Sequence, residues 1–185
     1  MTRLLGLSGS LRRASFNTAL LNAMTDHLPE GVTLEVATLH GIPLYDGDLE
    51  AAEGIPDAVA ELAQAIAAAD GLILSTPEYN NGMPGVLKNA VDWLSRGGVA
   101  GGKLFAGRKL AIAGASPGGF GTIMAQAHWL PVLRTLGIQL WPAGRLLVSQ
   151  AHKAFDAEGR LADANIRDQL APYLAGFAAF VRGRP

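Results

Sequence analysis

A short segment near the amino terminus combines the residue types that bind an anion. From Ser8 to Thr18 it is dense in hydroxyl groups, small residues and main-chain N–H groups, and it leads into a stretch of helical period. A helix N-terminus offers unpaired N–H donors and the positive end of the helix dipole, so a phosphate binds there with few formal charges. The side chains that could complete such a site are Ser10, Arg12, Ser15 and Asn17. The sequence therefore predicts a phosphate cradle; the alternative is a capping role for Ser15 with solvated arginines.

The same segment lacks the signatures of the common nucleotide-binding loops. It has no Gly-Lys-Ser/Thr of a P-loop, and Gly6-Leu7-Ser8-Gly9-Ser10 does not match the dinucleotide pattern Gly-x-Gly-x-x-Gly. Glu35 falls inside the second predicted strand rather than at its end, where an acidic side chain would meet a ribose. The loop thus favours a mononucleotide phosphate over a tightly bound dinucleotide.

A second segment, from Thr76 to Gly85, contains two prolines and two glycines between a strand and a helix. These residues fix an unusual backbone path, as expected where main-chain groups face a flat ring. The alternative to a ring-binding loop is that Tyr79 is an ordinary surface aromatic residue and Pro84 an ordinary first residue of a helix. Main-chain N–H groups from the Asn80 to Gly82 turn are the expected donors to such a ring.

A third segment, Gly114-Ala115-Ser116-Pro117-Gly118, matches the Gly-x-Ser-x-Gly pattern of a hydrolase nucleophile. The oxyanion hole of that elbow needs the N–H of the residue after the serine, and Pro117 has none. The last histidine, His152, precedes Asp156, so the usual order of acid and then histidine is missing. A serine hydrolase is therefore only a remote alternative.

The elements around these segments indicate a doubly wound α/β fold with a five-stranded parallel sheet and helices on both faces. Short apolar runs alternate with segments of helical period, which is typical of a parallel sheet covered on both sides. In such a sheet, ligands bind beyond the carboxyl ends of the strands. The predicted strands are 4–7, 32–39, 72–74, 110–113 and a fifth formed by 138–141 and 146–148, with a possible break at Pro142.

Helical periodicity predicts the buried faces between the strands. The segment 40–55 is expected to be an irregular crossing, and Pro131 and Pro172 are expected to kink or divide their helices. The predicted buried positions are Phe16, Leu20, Met24 and Leu28; Val59, Leu62, Ala63 and Ile66 after Pro56; Leu87, Ala90, Val91 and Leu94; Ile123, Met124, Ala127, Leu130 and Leu133; and Ile166, Leu170, Leu174, Phe177 and Val181.

Composition narrows the functional classes. A length of 185 residues with 49% hydrophobic residues suits one domain, 1–185. A net charge of −1 gives no long-range field for nucleic acid or an anionic membrane, and no apolar run reaches the roughly 18 residues of a membrane span. With no signal-peptide pattern, we expect a cytoplasmic protein. The absence of cysteine excludes thiolate chemistry and Cys-ligated metals; we expect no metal site, so redox chemistry would need a cofactor.

Two long motifs resemble the signatures of the NADPH-dependent FMN reductase family. The first is Ser8-Gly9-Ser10-Leu11-Arg12 with Ser15 and Asn17; the second is Pro77-Glu78-Tyr79-Asn80 followed by Pro84-Gly85-Val86-Leu87-Lys88-Asn89-Ala90-Val91-Asp92-Trp93. The similarity extends over the crossing 42–50 and the turn Ser116-Pro117-Gly118-Gly119, while the chain beyond about Pro142 matches only in general character. The resemblance implies a flavodoxin-like fold.

The resemblance also implies the cofactor site. Around the FMN phosphate it places Ser10, Arg12, Ser15, Phe16 and Asn17; along the isoalloxazine edge it places Pro77, Glu78, Tyr79, Asn80 and Gly82; and from the fourth loop it brings Ser116, Gly118 and Gly119. No catalytic side chain is required, because the flavin carries the chemistry. Arg12 or Arg13 could favour the extra phosphate of NADPH over NADH.

The implied activity is an FMN-dependent NAD(P)H oxidoreductase. NADPH would stack on the ring, deliver hydride to flavin N5 and leave, after which a quinone, azo compound or metal oxyanion would accept two electrons in a ping-pong cycle. A non-catalytic flavodoxin-like electron carrier or a flavin-binding sensor is the alternative.

We expect association into a homodimer or homotetramer. We expect this because Met83, Trp93 and Trp129 are too apolar for fully solvated faces, although all three could lie in the core. Relatives in the family commonly pair so that the partner subunit borders the flavin.

Overall fold

The sheet is parallel throughout and has the strand order of flavodoxin-like proteins. The computed structural model describes residues 1–183 of the chain. The order is β2-β1-β3-β4-β5, with β6 also pairing with β4, which confirms the doubly wound prediction. The strands are β1 (Thr2–Ser8), β2 (Val32–Ala37), β3 (Gly71–Ser75), β4 (Lys109–Ala115), β5 (Gln139–Leu140) and β6 (Leu146–Val148).

The fifth position of the sheet is shared by two short strands. β5 pairs with the start of β4 at Lys109 and Leu110, whereas β6 pairs with its end from Ala113 to Ala115. The predicted break near Pro142 is therefore confirmed. Proline has no N–H to donate to the hydrogen-bond ladder of the sheet, which explains the interruption.

Helices cover both faces of the sheet. They are α1 (Phe16–Thr25), α2 (Gly47–Glu53), α3 (Asp57–Ala68), α4 (Gly85–Leu94), α5 (Ile123–Thr135), α6 (Ala151–Ala154) and α7 (Ala164–Val181). Helices α3, α4 and α5 contribute Ile66, Leu87 and Trp129 to one apolar core, and α1 and α7 contribute Leu20 and Phe177 to the other. Successive strand residues alternate between the two cores, so the strands are continuous apolar runs.

Helix α2 lies inside the segment expected to be irregular. The Asp46 carboxylate accepts a hydrogen bond from the N–H of Asp48, and Asp48 and Glu50 lie in the first turn. A capping aspartate followed by acidic residues is a helix-start signal that the glycines and prolines of the crossing obscured.

The predicted buried face of α5 is largely wrong. Ile123, Met124 and Leu130 are 38%, 44% and 49% exposed, while Ala125, Gln126, Trp129 and Leu133 are buried. Both faces of α5 carry apolar residues, so helical periodicity alone does not indicate which face is buried. The buried Gln126 amide donates to Thr122 Oγ1 and to the Leu146 carbonyl, which makes a polar residue acceptable there.

Neither internal proline divides its helix, since α5 and α7 run continuously through Pro131 and Pro172. Trp93 and Trp129 are fully buried, so the surface expected for association does not include them. Within residues 1–183, no helix has the length and apolar character needed to cross a membrane.

Candidate active site

Three loops meet at the carboxyl edge of the sheet, after the neighbouring strands β1, β3 and β4. Their register aligns Ser8 with Ser75 and Ser75 with Ala113, so β1 and β3 end at one level and β4 runs two residues further, to Ala115. Main-chain hydrogen bonds continue this alignment into the loops, from Gly9 N to Ser75 O at 2.9 Å and from Thr76 N to Ala113 O at 2.9 Å. The fold therefore brings together the three segments singled out in the sequence.

The loop after β1 ends in a capped helix start. Ser15 is the N-cap of α1, and its hydroxyl accepts a hydrogen bond from the N–H of Thr18 at 3.2 Å, while the Ala19 N–H donates to the Ser15 carbonyl. The N–H groups of Phe16 and Asn17 are the first two of the helix, where no intrahelical acceptor exists. These two donors make no hydrogen bond within the described residues. They fit a bound phosphate.

The remaining cradle residues border these donors. Ser10 is buried, and its hydroxyl accepts a hydrogen bond from the N–H of Arg12 at 3.3 Å. The Arg12 side chain is exposed and makes no ion pair within residues 1–183. A Cβ at Gly9 would lie 2.8 Å from both Leu87 and Pro77, so only glycine allows this loop to lie against the loop after β3.

The Asn17 side chain is fully engaged in the protein. Its Oδ1 accepts hydrogen bonds from Ala115 N and Ser75 Oγ, each at 3.0 Å, and its Nδ2 donates to Ala115 O at 2.9 Å. Asn17 therefore joins α1 to the ends of β3 and β4, and only its main-chain N–H is free for a ligand. The Phe16 ring likewise stacks on Phe155, with centroids 5.9 Å apart, so this residue also offers its main chain.

The tip of the loop after β3 is a tight two-residue turn. Tyr79 and Gly82 exchange main-chain hydrogen bonds of 3.1 and 3.0 Å, and Asn80 and Asn81 have positive φ values of 50° and 59°. This is the pattern of a type I′ turn, which asparagine tolerates. The N–H of Gly82 is thus engaged, whereas those of Asn80 and Asn81 have no acceptor within residues 1–183. The tip presents two donors beside the exposed Tyr79 ring.

Glu78 connects this loop to the loop after β4. Its Oε2 accepts hydrogen bonds from the N–H groups of Met124 and Ala125, at 2.8 and 2.9 Å, at the start of α5. The local N-cap, Thr122, makes no side-chain capping bond, so Glu78 performs that role from 46 residues away. Its carboxylate is therefore a positioning group, and Pro77 beside it is buried.

The loop after β4 places small residues at the rim. The Ser116 hydroxyl accepts a hydrogen bond from Gly118 N at 3.1 Å, and Gly118 O accepts one from Gln150 N. Pro117, Gly118 and Gly119 are exposed. Within the described chain, no histidine hydrogen-bonds to Ser116. This arrangement gives the hydrolase alternative no support.

The helix motif from Pro84 to Trp93, which is part of the resemblance, has a structural role that the sequence did not indicate. The Asn89 side chain donates to Pro43 O and accepts from Tyr45 N, each at 2.8 Å, and the Trp93 indole also donates to Pro43 O. Burial and the hydrogen bond to Glu50 raise the pKa of the Tyr45 phenol. The motif thus anchors the crossing loop beside the site, with Leu44 left 80% exposed.

His40 also has a structural role that no pattern in the sequence indicates. Its Nε2 lies 3.2 Å from the carbonyl oxygen of Leu11, and its Nδ1 lies 3.1 Å from Thr38 Oγ1. His40 therefore ties the crossing loop to the cradle loop. Contact between distant loops leaves no periodic signal in a sequence.

Comparisons with known proteins agree with this geometry. The family model for NADPH-dependent FMN reductase matches residues 2–153. A Pseudomonas aeruginosa protein named NAD(P)H-dependent FMN reductase is 43% identical over 180 residues, covering 97% of this chain and 95% of that protein. A Burkholderia protein named 2-hydroxy-1,4-benzoquinone reductase is 38% identical over 176 residues, covering 95% and 94%.

A solved structure shows the same architecture over the whole chain. FerB, a flavoenzyme NAD(P)H:acceptor oxidoreductase of Paracoccus denitrificans, superposes with a TM-score of 0.84 and 30% identity, covering 100% of this chain and 99% of FerB. Three converging loops, a phosphate-type cradle and these matches lead to one conclusion: the chain belongs to the NADPH-dependent FMN reductase family.

Proposed function

We propose that this protein is an enzyme that transfers two electrons from NAD(P)H, through bound FMN, to a quinone or similar small acceptor. The observation that carries the proposal is the pair of free N–H groups at the start of α1, beside the N-cap Ser15, in a loop that lies at the same edge of the sheet as the loop of Asn80 and Asn81. FMN supplies the hydride and electron transfer when bound; the protein supplies binding, orientation and electrostatics.

The cradle residues would hold the FMN phosphate. The N–H groups of Phe16 and Asn17 are oriented along the axis of α1, so their donors and the helix dipole act on the same anion. Ser10 and Ser15 add hydroxyls, and Arg12 adds a charge from the solvent side. Because Asn17 and Gly9 bind these groups to β3 and β4, the site is rigid before ligand binding.

The turn at Asn80 and Asn81 would bind the polar edge of the ring. Its free N–H groups are preorganised donors for an edge where negative charge grows on reduction. The clamp from Glu78 to α5 fixes the position of this turn relative to Ser116, Gly118 and Gly119. The 45% exposed Tyr79 ring would form a wall of the site.

Donor and acceptor would use one exposed ring face in turn. Initial rates of NADPH oxidation with 1,4-benzoquinone as acceptor test this directly. We expect a family of parallel lines in double-reciprocal plots as both concentrations vary. Intersecting lines would contradict alternate use of one site, and the absence of steady NADPH oxidation that depends on the acceptor would favour a carrier or sensor instead.

The proposal includes NADPH as the donor, a single FMN-binding domain over residues 1–185 and a cytoplasmic location, where nicotinamide donors are abundant. Arg12 and Arg13 are both exposed beside the cradle and are suited to the additional phosphate of NADPH. Azo compounds and metal oxyanions are the other acceptors that we include.

We also propose that two copies associate through the exposed face of α5, as a dimer or as a dimer of dimers. Phe120, just before α5, is 82% exposed, and Ile123, Met124 and Leu130 of α5 are also exposed. Several exposed large apolar side chains in one segment are typical of a protein interface. It lies next to the loop after β4, so a second copy there would border the ring site, which the monomer leaves open at Tyr79 and Asn80.

A further inference from the structure

The tip of the loop after β3 contains the only Asn-Gly pair in the sequence, Asn81-Gly82. An asparagine followed by glycine is the dipeptide most prone to deamidation, in which the main-chain nitrogen of the second residue attacks the side-chain carbonyl carbon of the first. Glycine favours this attack because no Cβ crowds its nitrogen. The proposed function uses the main-chain N–H of Asn81 and gives its side chain no role.

The reaction needs only water as a co-reactant. The Gly82 nitrogen gives up its proton and bonds to Asn81 Cγ, while the bond from Cγ to Nδ2 breaks, so that ammonia leaves with that proton. The product is a cyclic imide. Water then adds to either imide carbonyl carbon and opens the ring to aspartate or to isoaspartate, in which the main chain runs through the side-chain methylene. No atom is oxidised or reduced.

The structure exposes the reacting side chain. Asn81 lies at the surface, in the second central position of the type I′ turn, with a φ of 59°. Its side-chain amide makes no hydrogen bond within residues 1–183, so no polar contact fixes the orientation of this group. Water has access to Cγ, and the amide is free to rotate towards the next nitrogen.

A hydrogen bond of the turn opposes the attack. The Gly82 N–H donates to Tyr79 O at 3.0 Å, and the Tyr79 N–H donates to Gly82 O at 3.1 Å. The Gly82 nitrogen reaches Asn81 Cγ only after the turn opens and its own hydrogen bond breaks. The rate of deamidation therefore follows the fraction of molecules with an open turn. A ligand that binds the N–H groups of Asn80 and Asn81 stabilises the closed turn and slows the reaction.

We propose that Asn81 is a site of spontaneous deamidation, which flavin in the ring site slows and which, once it has occurred, disfavours reduction of the flavin. The modification follows from the turn alone, whereas its links to the flavin rest on the proposed function. A carboxylate at position 81 lies beside the proposed ring edge, where negative charge grows on reduction. Like charges oppose that growth.

The time course of the modification tests the role of the turn. Chymotrypsin cuts after Tyr79, and mass spectrometry of the resulting peptide follows the conversion of amide into acid in protein kept at mildly alkaline pH. Gly82→Ala is the diagnostic variant: its Cβ would lie 3.5 Å from the nearest contact, Tyr79 O, and Gly82 has no positive φ, so the turn is kept. Gly85→Ala adds the same methyl group to the same loop, where it meets open space, and is the matched control.

We expect position 81 to be converted faster than every other asparagine of the chain. Gly82→Ala should slow the conversion by about tenfold or more, because the added Cβ crowds the attacking nitrogen, and Gly85→Ala should match wild type. Retention of the amide in wild-type protein, while a free peptide of residues 79–83 is converted, would overturn the proposal. Equal rates in wild type and Gly82→Ala would overturn it as well.

Comparison of FMN-loaded with flavin-free protein tests the links to the flavin. We expect bound FMN, monitored by its fluorescence, to slow the conversion several-fold. The midpoint potential of bound FMN should be more negative in Asn81→Asp than in Asn81→Gly, a neutral variant that allows the same positive φ. Equal rates with and without bound FMN, or equal potentials, would overturn the links to the flavin and leave the modification. Failure of the protein to bind FMN would instead overturn the proposed function.

Discussion

At the scale of single residues, Asn17 and Ser15 divide the work of the cradle. Asn17 is 3% exposed, and its side-chain amide hydrogen-bonds to Ser75 and Ala115. Asn17 therefore holds the start of α1 against the ends of β3 and β4. Ser15 caps α1 and leaves the neighbouring N–H groups free. Ligand binding and structural support are therefore separable by substitution at two positions at the start of one helix, two residues apart.

Replacement of Asn17 by alanine should destabilise the fold. The main-chain N–H and carbonyl of Ala115 would lose their side-chain partner, and Ser75 Oγ would keep only its 3.3 Å bond to the Asn17 carbonyl, which lowers the free energy of unfolding by about 2–3 kcal/mol. Urea denaturation measures this change. The exposed Asn165→Ala on α7 is the control and should stay within about 0.5 kcal/mol of wild type. Equal stability of the two variants would show that the network is unimportant.

Substitution of Ser15 by aspartate should separate phosphate binding from helix capping. Aspartate caps helices as well as serine does, so the fold is kept, but its charge would repel the FMN phosphate and raise the Kd by about 100-fold. Fluorescence titration with FMN and with riboflavin measures the effect, since riboflavin has no phosphate and should bind unchanged. Ser15→Asn, a neutral cap, is the control. If Ser15→Asp bound FMN with unaltered affinity, the FMN phosphate would not bind at the start of α1.

At the scale of elements, strands were easier to predict from the sequence than helix faces and loop contacts. The five strand positions follow from continuous apolar runs, and the order of the loops follows from a parallel sheet. The buried face of α5 could not be predicted, because Ile123 and Leu130 are as apolar as Trp129 and Leu133.

Sequence distance explains what else was missed. The clamps from Glu78 to α5, from Asn89 to Pro43 and from His40 to Leu11 join segments that are distant in the chain. No periodicity records such pairs. The predicted fold indicated which loops would meet at the edge of the sheet, but only the structure showed that the side chains of Asn17 and Glu78 are bonded within the protein.

Loss of the Glu78 carboxylate should weaken the join between two of the loops. In Glu78→Ala the start of α5 loses its acceptor, at a cost of about 1–2 kcal/mol, and the turn at Asn80 becomes less ordered. Thermal unfolding and FMN titration measure the two effects. Glu78→Gln keeps an oxygen acceptor and should lie between the two proteins. Glu61→Ala, at an exposed position of α3, is the control; a Tm of Glu78→Ala equal to that of the control would contradict the clamp.

At the scale of the whole molecule, one apolar face and one open site lie side by side. The apolar segment from Phe120 to Leu130 borders the loop after β4, and the proposed ring site borders the same loop. Association would bury the apolar face and narrow the opening of the proposed ring site. The assembly and the acceptor site are thus expected to depend on each other.

A charge in the α5 face should separate the copies. We expect wild-type protein to have at least twice the 19.3 kDa mass of the chain in light scattering at micromolar concentration, and Leu130→Glu to approach the monomer mass, because a carboxylate buried in an apolar interface is strongly unfavourable. Ala51→Glu adds the same charge at an exposed position of α2 and should leave the mass unchanged. A monomeric wild-type protein would refute association.

The absorbance spectrum of the purified protein, after loading with FMN and removal of excess, tests the central claim most directly. The claim is that the loops after β1, β3 and β4 form an FMN site accessible to NADPH. We expect visible flavin bands to remain with the protein, to bleach when NADPH is added without oxygen and to return when 1,4-benzoquinone follows. Protein that retains no flavin, or retains flavin that NADPH does not bleach, would contradict the account.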